Sequence, residues 1–294
     1  MKYSADPHSR RQFLKTLGLG AAGLGAGAAL PAPAPKSNMQ MGLVTYLWGK
    51  DWDVPTLIAN CAKAKVYGVE LRIDHAHGVG LDTPAARRRE VRALFEDSPV
   101  SFLGMGTNQD YHHTDAAKLR QSIEDTKAFI RLSADLGGSG VKVKPNAFPE
   151  GVPHEKTIEQ IGKSLHEVAQ YGADYGQEIR LEVHGNQTQE LPNIRAMMEV
   201  ADHPNARVCW NCNMEDLNGQ GLAYNFQLVK DYFGDTVHIR EVNVGDYPYQ
   251  KLVGLLMDIN YAGWILLECR TDPADKVKAM VEQRKLWRRM ERKA

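Results

Sequence analysis

Short runs of Val, Ile and Leu recur along the chain, each closed by Gly, Pro or Asn. Between them the apolar positions change to helical spacing. The short runs predict strands over 41–48, 68–73, 100–106, 140–145, 178–184, 206–211, 236–242 and 264–269. The intervening stretches predict amphipathic helices near 55–66, 84–96, 115–136, 155–175, 190–201, 221–232, 248–259 and 273–291. In 155–175, for example, Ile158, Ile161, Leu165 and Val168 fall on one helical face.

Eight strand-then-helix units make up the inventory of an α/β chain folded as a single-domain (β/α)8 TIM barrel over residues 38–294. A doubly wound open sheet is the competing arrangement. It would carry a glycine-rich phosphate loop after the first strand, and TYLWGKDWDV contains none.

Residues two apart on a strand share a face. Glu70 therefore goes with Arg72, Lys142 with Lys144, Glu182 with His184, and Glu268 with Arg270. Their neighbours Val69, Leu71, Val141, Val143, Leu181, Val183 and Leu267 are apolar and suit the layer between strands and helices. Charges inside a barrel are costly unless paired or bound to a cation, so several strands with inward charges imply a polar site. Barrels of this kind place their chemistry at the C-terminal strand ends. His75, His77, Asn146, Asn211, Asn213 and His238 also fall near those ends.

Composition narrows the chemistry. The 36 basic and 36 acidic residues cancel, which excludes nucleic acid held by bulk charge. Four cysteines are too few for a disulfide scaffold at this length. Cys209 and Cys212 have C-x-x-C spacing, but a strand puts residues three apart on opposite faces. Small buried thiols are the expectation for all four cysteines.

At the start, SRRQFLK precedes a weakly apolar Gly/Ala run and the spacer LPAPAPKSN. Residues 1–37 thus resemble a twin-arginine export signal and spacer, implying the Tat machinery as a partner and a periplasmic or exported protein. The run is short for a membrane span, so none is expected in the mature form.

The strings LEVHG, VCWNCN, VHIREV and LLECR fall in that order on the last four strands. They resemble the sugar phosphate isomerase/epimerase family of xylose-isomerase-like barrels. ELRIDHAHGV and GVKVKPN resemble its exported bacterial branch. The resemblance implies one divalent cation (Mn, Mg or Zn) held by Glu182, Asn211, His238 and Glu268. Asn211 stands where the family usually has Asp, so the site would carry two carboxylates instead of three. The same resemblance implies that Glu182 and Glu268 exchange a proton next to a substrate carbonyl. Arg72, His75, His77, Lys144, Asn146, His184, Asn213 and Arg270 would line a carbohydrate pocket. Export favours an unphosphorylated sugar, inositol or keto-sugar as substrate. Isomerisation, epimerisation and β-elimination of a 3-keto-glycoside remain open, as does a carbohydrate-binding barrel that has lost its metal. Lys144 as a Schiff-base amine is disfavoured, because nothing apolar in its local sequence would lower its pKa. A homo-oligomer is left open.

Overall fold

The computed structural model describes residues 37–294. The export signal and spacer expected over 1–37 lie outside them, Ser37 apart. Eight parallel strands run through the described chain. They are β1 (Gln40–Val44), β2 (Gly68–Arg72), β3 (Ser101–Asp110), β4 (Gly140–Lys144), β5 (Glu178–Glu182), β6 (Ala206–Cys209), β7 (Thr236–Ile239) and β8 (Trp264–Leu267). The helices are α1 (Val54–Ala64), α2 (Ala85–Glu96), α3 (Ala116–Asp135), α4 (His154–Ala173), α5 (Leu191–Ala201), α6 (Leu222–Val229), α7 (Tyr249–Asp258) and α8 (Lys276–Glu291).

Each strand but β6 forms a ladder with the strand after it in sequence, β8 closing onto β1. Between β6 and β7 the ladder thins to two isolated bridges, Val208↔Phe233 and Asn211↔His238. The result is a nearly closed TIM barrel, as the pattern predicts.

Outward-facing strand residues such as Val69, Leu71, Val141, Val143 and Leu181 are fully buried in the layer under the helices. Burial of this apolar face holds the helices on. Side chains of Asp53, Asp115 and Asp275 cap α1, α3 and α8 by accepting from first-turn amides. No helix among the described residues is long and apolar enough to cross a membrane.

Several boundaries differ from the sequence reading. β1 stops at Val44, and Trp48 lies in the following loop, where its indole donates to the Thr271 carbonyl. β3 runs to Asp110 instead of ending at 106, because beyond a register shift between Gly106 and Asp110 it pairs again, Asp110 with Lys144 of β4. β6, β7 and β8 are shorter than expected, and the polar residues that follow them are held by backbone bonds into the rim. Just past β6 the Trp210 carbonyl accepts from His238 N–H of β7, and just past β8 Glu268 N–H donates to the Ile239 carbonyl.

Candidate active site

Six strands deliver a buried polar side chain to the C-terminal end of the barrel interior. Glu70 comes from β2, Lys142 from β4, Glu182 from β5 and His238 from β7. Asn211 and Glu268 lie just past β6 and β8. Room for the Glu70 carboxyl comes from β3, where a Cβ on Gly106 would stand 2.6 Å from Glu70 Oε1.

Glu182, His238 and Glu268 converge. His238 Nδ1 is 3.8 Å from Glu182 Oε1 and 3.8 Å from Glu268 Oε2. On its other side, His238 Nε2 is 3.4 Å from Glu70 Oε1. Both oxygens of Glu182 are engaged: Lys142 Nζ donates to Oε2 at 2.7 Å, and Asn211 Nδ2 donates to Oε1 at 2.9 Å. Arg72 lies at the edge, with its guanidinium 3.5 Å from Glu268 Oε1 and over the Tyr46 ring.

The electrostatics follow from these contacts. Burial raises the proton affinity of Glu182, but the Lys142 charge and His238 pull its pKa well below the usual carboxylate range. Glu268 moves the other way, raised first by burial and then by the Glu182 charge. Burial opposes charge on His238, while the Cys209 sulfur and the Glu70 and Glu182 carboxylates favour it. The balance lies well above the ordinary histidine range.

Residues 58–290 match the family model described as the xylose isomerase-like TIM barrel. The chain belongs to that family. Among curated proteins, none matches its sequence. Solved structures of the same fold include an L-ribulose 3-epimerase, at 16% identity and a TM-score of 0.74, covering 87% of this chain and 96% of that one. The 3-keto-D-glucoside 4-epimerase YcjR from E. coli, in its apo form, superposes with a TM-score of 0.72 at 14% identity, over 85% of this chain and 99% of its own. D-allulose 3-epimerase from Methylomonas sp., in complex with D-allulose, gives 0.72 at 19%, over 86% and 98%. At these identities the likeness establishes the fold.

In this xylose isomerase-like barrel, the sequence-derived candidates separate into two groups. Glu182, Asn211, His238 and Glu268 are together at the centre, with Arg72 beside them. Lys144 and His184 are partly buried close by, and His184 Nδ1 has no hydrogen-bond partner. Burial and the neighbouring Lys142 charge lower the Lys144 pKa. Burial, the larger cause, is set by tertiary packing, whereas the Lys142 charge two residues away on the same face is local. His75 touches Thr45 Oγ1 at 3.3 Å on the loop side.

The other candidates have structural partners. His77 is buried, with Nε2 at 2.7 Å from the Arg72 carbonyl and Nδ1 accepting from Val79 N–H. Neither of its ring nitrogens is free for a ligand. Asn213 donates to the Val183 carbonyl and accepts from Arg240. Arg270 is exposed, and its backbone N–H donates to Glu241. Asn146 is held by Asp110. Trp48 and Trp210 are buried, and all four cysteines are free and buried.

Sequence reasoning misses Glu70 and Lys142 as site residues, although alternation turns them inward. They sit two residues deeper than Arg72 and Lys144, and it is the deeper layer that touches His238 and Glu182.

The donor set fits a divalent cation. Glu182, His238 and Glu268 each offer an atom within 4.8 Å of the others. His238 Nδ1 and Asn211 Oδ1 are buried without a hydrogen-bond partner, and so are both Glu70 oxygens. Two carboxylates, an imidazole and an amide oxygen suit Mn, Mg or Zn. Glu70 would be the outer carboxylate that fixes the histidine tautomer, leaving Nδ1 free to bind. Asn211 would need a half-turn of its amide to present Oδ1 in place of Nδ2.

Proposed function

We propose that this barrel is a divalent-metal-dependent sugar isomerase or epimerase, exported by the twin-arginine route and acting on an unphosphorylated sugar, inositol or keto-sugar. One observation carries the reading: Glu182, His238 and Glu268 converge from three strands on one point, with a buried nitrogen left unpaired there. The fold relatives add support, being epimerases of a ribulose, an allulose and a 3-keto-glucoside.

Glu182, Asn211, His238 and Glu268 would hold the cation, which when bound would stabilise negative charge on a substrate carbonyl oxygen. Glu182 and Glu268 are the pair that takes a proton from the adjacent carbon and returns one. Lys142 keeps Glu182 ionised, Glu70 keeps His238 oriented, and Arg72 supplies donors to hydroxyl oxygens at the mouth. The same residues serve β-elimination of a 3-keto-glycoside, which makes a lyase the neighbouring alternative.

A second reading, a carbohydrate-binding barrel without metal, is favoured by the saturation of Glu182. With Lys142 and Asn211 donating to its two oxygens, that carboxylate is satisfied with no cation present.

Incubation with D-fructose, D-allulose or a 3-keto-glucoside in D2O and Mn²⁺ separates these readings. The proposal expects deuterium at the carbon next to the carbonyl, abolished by Glu182→Gln with Glu268→Gln. Binding of a sugar without exchange at any carbon, with and without Mn²⁺, favours the second reading. Release of an aglycone identifies the lyase.

A further inference from the structure

Outside this centre a second convergence of ligand atoms lies on the rim. β3 ends at Asp110, which pairs in register with Lys144 at the end of β4. Asp110 Oδ1 is 2.7 Å from His113 Nε2 and 3.5 Å from His112 Nδ1. The two imidazoles lie with centroids 4.7 Å apart, tilted by 36°. His112 Nδ1 is buried without a hydrogen-bond partner.

The surroundings hold these groups in place. Asn146 Nδ2 donates to the other Asp110 oxygen at 2.8 Å, which turns Oδ1 toward the histidines. The Asn146 backbone takes a left-handed φ of 72° to deliver that amide. Gln160 donates to the carbonyls of Tyr111 and His113, and the buried Tyr111 hydroxyl bonds Thr126. A close Asp–His ionic contact accounts for His113 alone. It leaves unexplained why His112 aims an unpaired nitrogen at the same oxygen.

We propose that Asp110, His112 and His113 form a second metal site, of the zinc class, separate from the Glu182–His238–Glu268 centre. Two imidazole nitrogens and one carboxylate oxygen are a borderline donor set that suits Zn²⁺ or Co²⁺ better than Mg²⁺. Bonds of about 2.0–2.1 Å place the donors of a tetrahedral site roughly 3.3 Å apart. The His112–Asp110 separation is already close to this. The His113–Asp110 contact opens by about 0.6 Å as the metal enters, the proton of the ligating ring nitrogen leaving to solvent. Asn146 is the outer partner that orients the carboxylate. The His113 side chain is 30% exposed, which gives an ion a way in. Three protein ligands leave a coordination position for water or for a hydroxyl or carboxylate oxygen of a molecule at the rim.

Zinc alone is the probe. Tag-free protein carrying Glu182→Gln and Glu268→Gln is equilibrated with Zn²⁺, and bound metal is counted by elemental analysis. Co²⁺ absorption reports the ligand field. One equivalent is expected to remain in that variant. Adding His112→Gln with His113→Gln is expected to weaken it more than about 100-fold, and Asn146→Ala by about 10–100-fold. A folded barrel-centre variant that binds no zinc overturns the site, as does zinc affinity indifferent to the histidine pair. Should the barrel-centre variant not fold, the parent carries the test: its zinc content is expected to fall by one equivalent on His112→Gln with His113→Gln, and an unchanged content overturns the site. None of these readouts depends on the proposed sugar chemistry.

Discussion

Arg180 and Lys142 are register partners on adjacent strands, both wholly buried inside the barrel and both paired with a glutamate. They turn opposite ways. Arg180 meets Glu178 at the start of β5, and its remaining donors reach Ser139 Oγ, the Leu103 carbonyl and Asp235. No polar atom of Arg180 is without a partner. Lys142 meets Glu182 at the end of β5, in a region where Glu70, Asn211 and His238 all hold buried atoms unpaired. Buried charge is common to both ends of the barrel. Among the charged side chains inside the barrel, unspent hydrogen-bonding capacity gathers at the C-terminal end, and there it distinguishes a site from a brace.

The contrast is tested hardest by removing each cation. Lys142→Met leaves Glu182 buried beside two other carboxylates, and a loss of about 3–5 kcal/mol is expected in urea unfolding. Much of that loss should return in Lys142→Met with Glu182→Gln, which a double-mutant cycle measures. Arg180→Met should cost a comparable amount while leaving metal affinity at the C-terminal end unchanged. Equal effects of both substitutions on metal affinity would erase the distinction.

Glu70→Gln comes next. The fold should persist, and cation affinity at the barrel centre should fall about 10–100-fold, as for loss of an outer-sphere carboxylate. Titration calorimetry with Mn²⁺ reads this directly.

His77 gives a pH-dependent effect. Burial pushes its pKa from the ordinary 6.5 down to about 4. As pH falls, the unfolded chain takes up a proton near 6.5 and the folded chain does not. Stability present above that pH is therefore lost as pH drops toward the folded value. Between about pH 7 and pH 5 the loss should reach up to about 2 kcal/mol, and His77→Gln should flatten it. An unchanged pH profile in the variant would show that His77 is not the group responsible.

The smallest effect belongs to Arg270→Ala. With its side chain exposed, stability should stay within about 0.5 kcal/mol of the parent and Mn²⁺ affinity should not move.

These residues also show how far the sequence could be read. The barrel was legible, because apolar runs of strand length alternate with helical spacing throughout. Inward alternation was legible too, and it placed Glu182 and Glu268 correctly in the interior. Depth was not. Period-two spacing cannot say whether Glu70 or Arg72, Lys142 or Lys144, stands level with His238. The answer depends on barrel stagger and on the space left by Gly106. His77 was placed in the pocket lining because its two backbone partners lie in a turn whose geometry the sequence does not announce. The polar run TNQDYHHTD is visible after the third strand, but an expected end at 106, four residues early, hides which of its side chains face one another.

The central claim is that Glu182, His238 and Glu268 hold a divalent cation. It is tested most directly by titrating the protein with Mn²⁺, followed by electron paramagnetic resonance, in a His112→Gln, His113→Gln background that keeps the rim out of the count. One Mn²⁺ per chain, lost when Glu182→Gln and Glu268→Gln are added, is the predicted result. No bound Mn²⁺ in the background protein, or the same titration with and without the two glutamates, would contradict it. Lys142 and Asn211 would then stand as the permanent partners of Glu182 in a metal-free pocket.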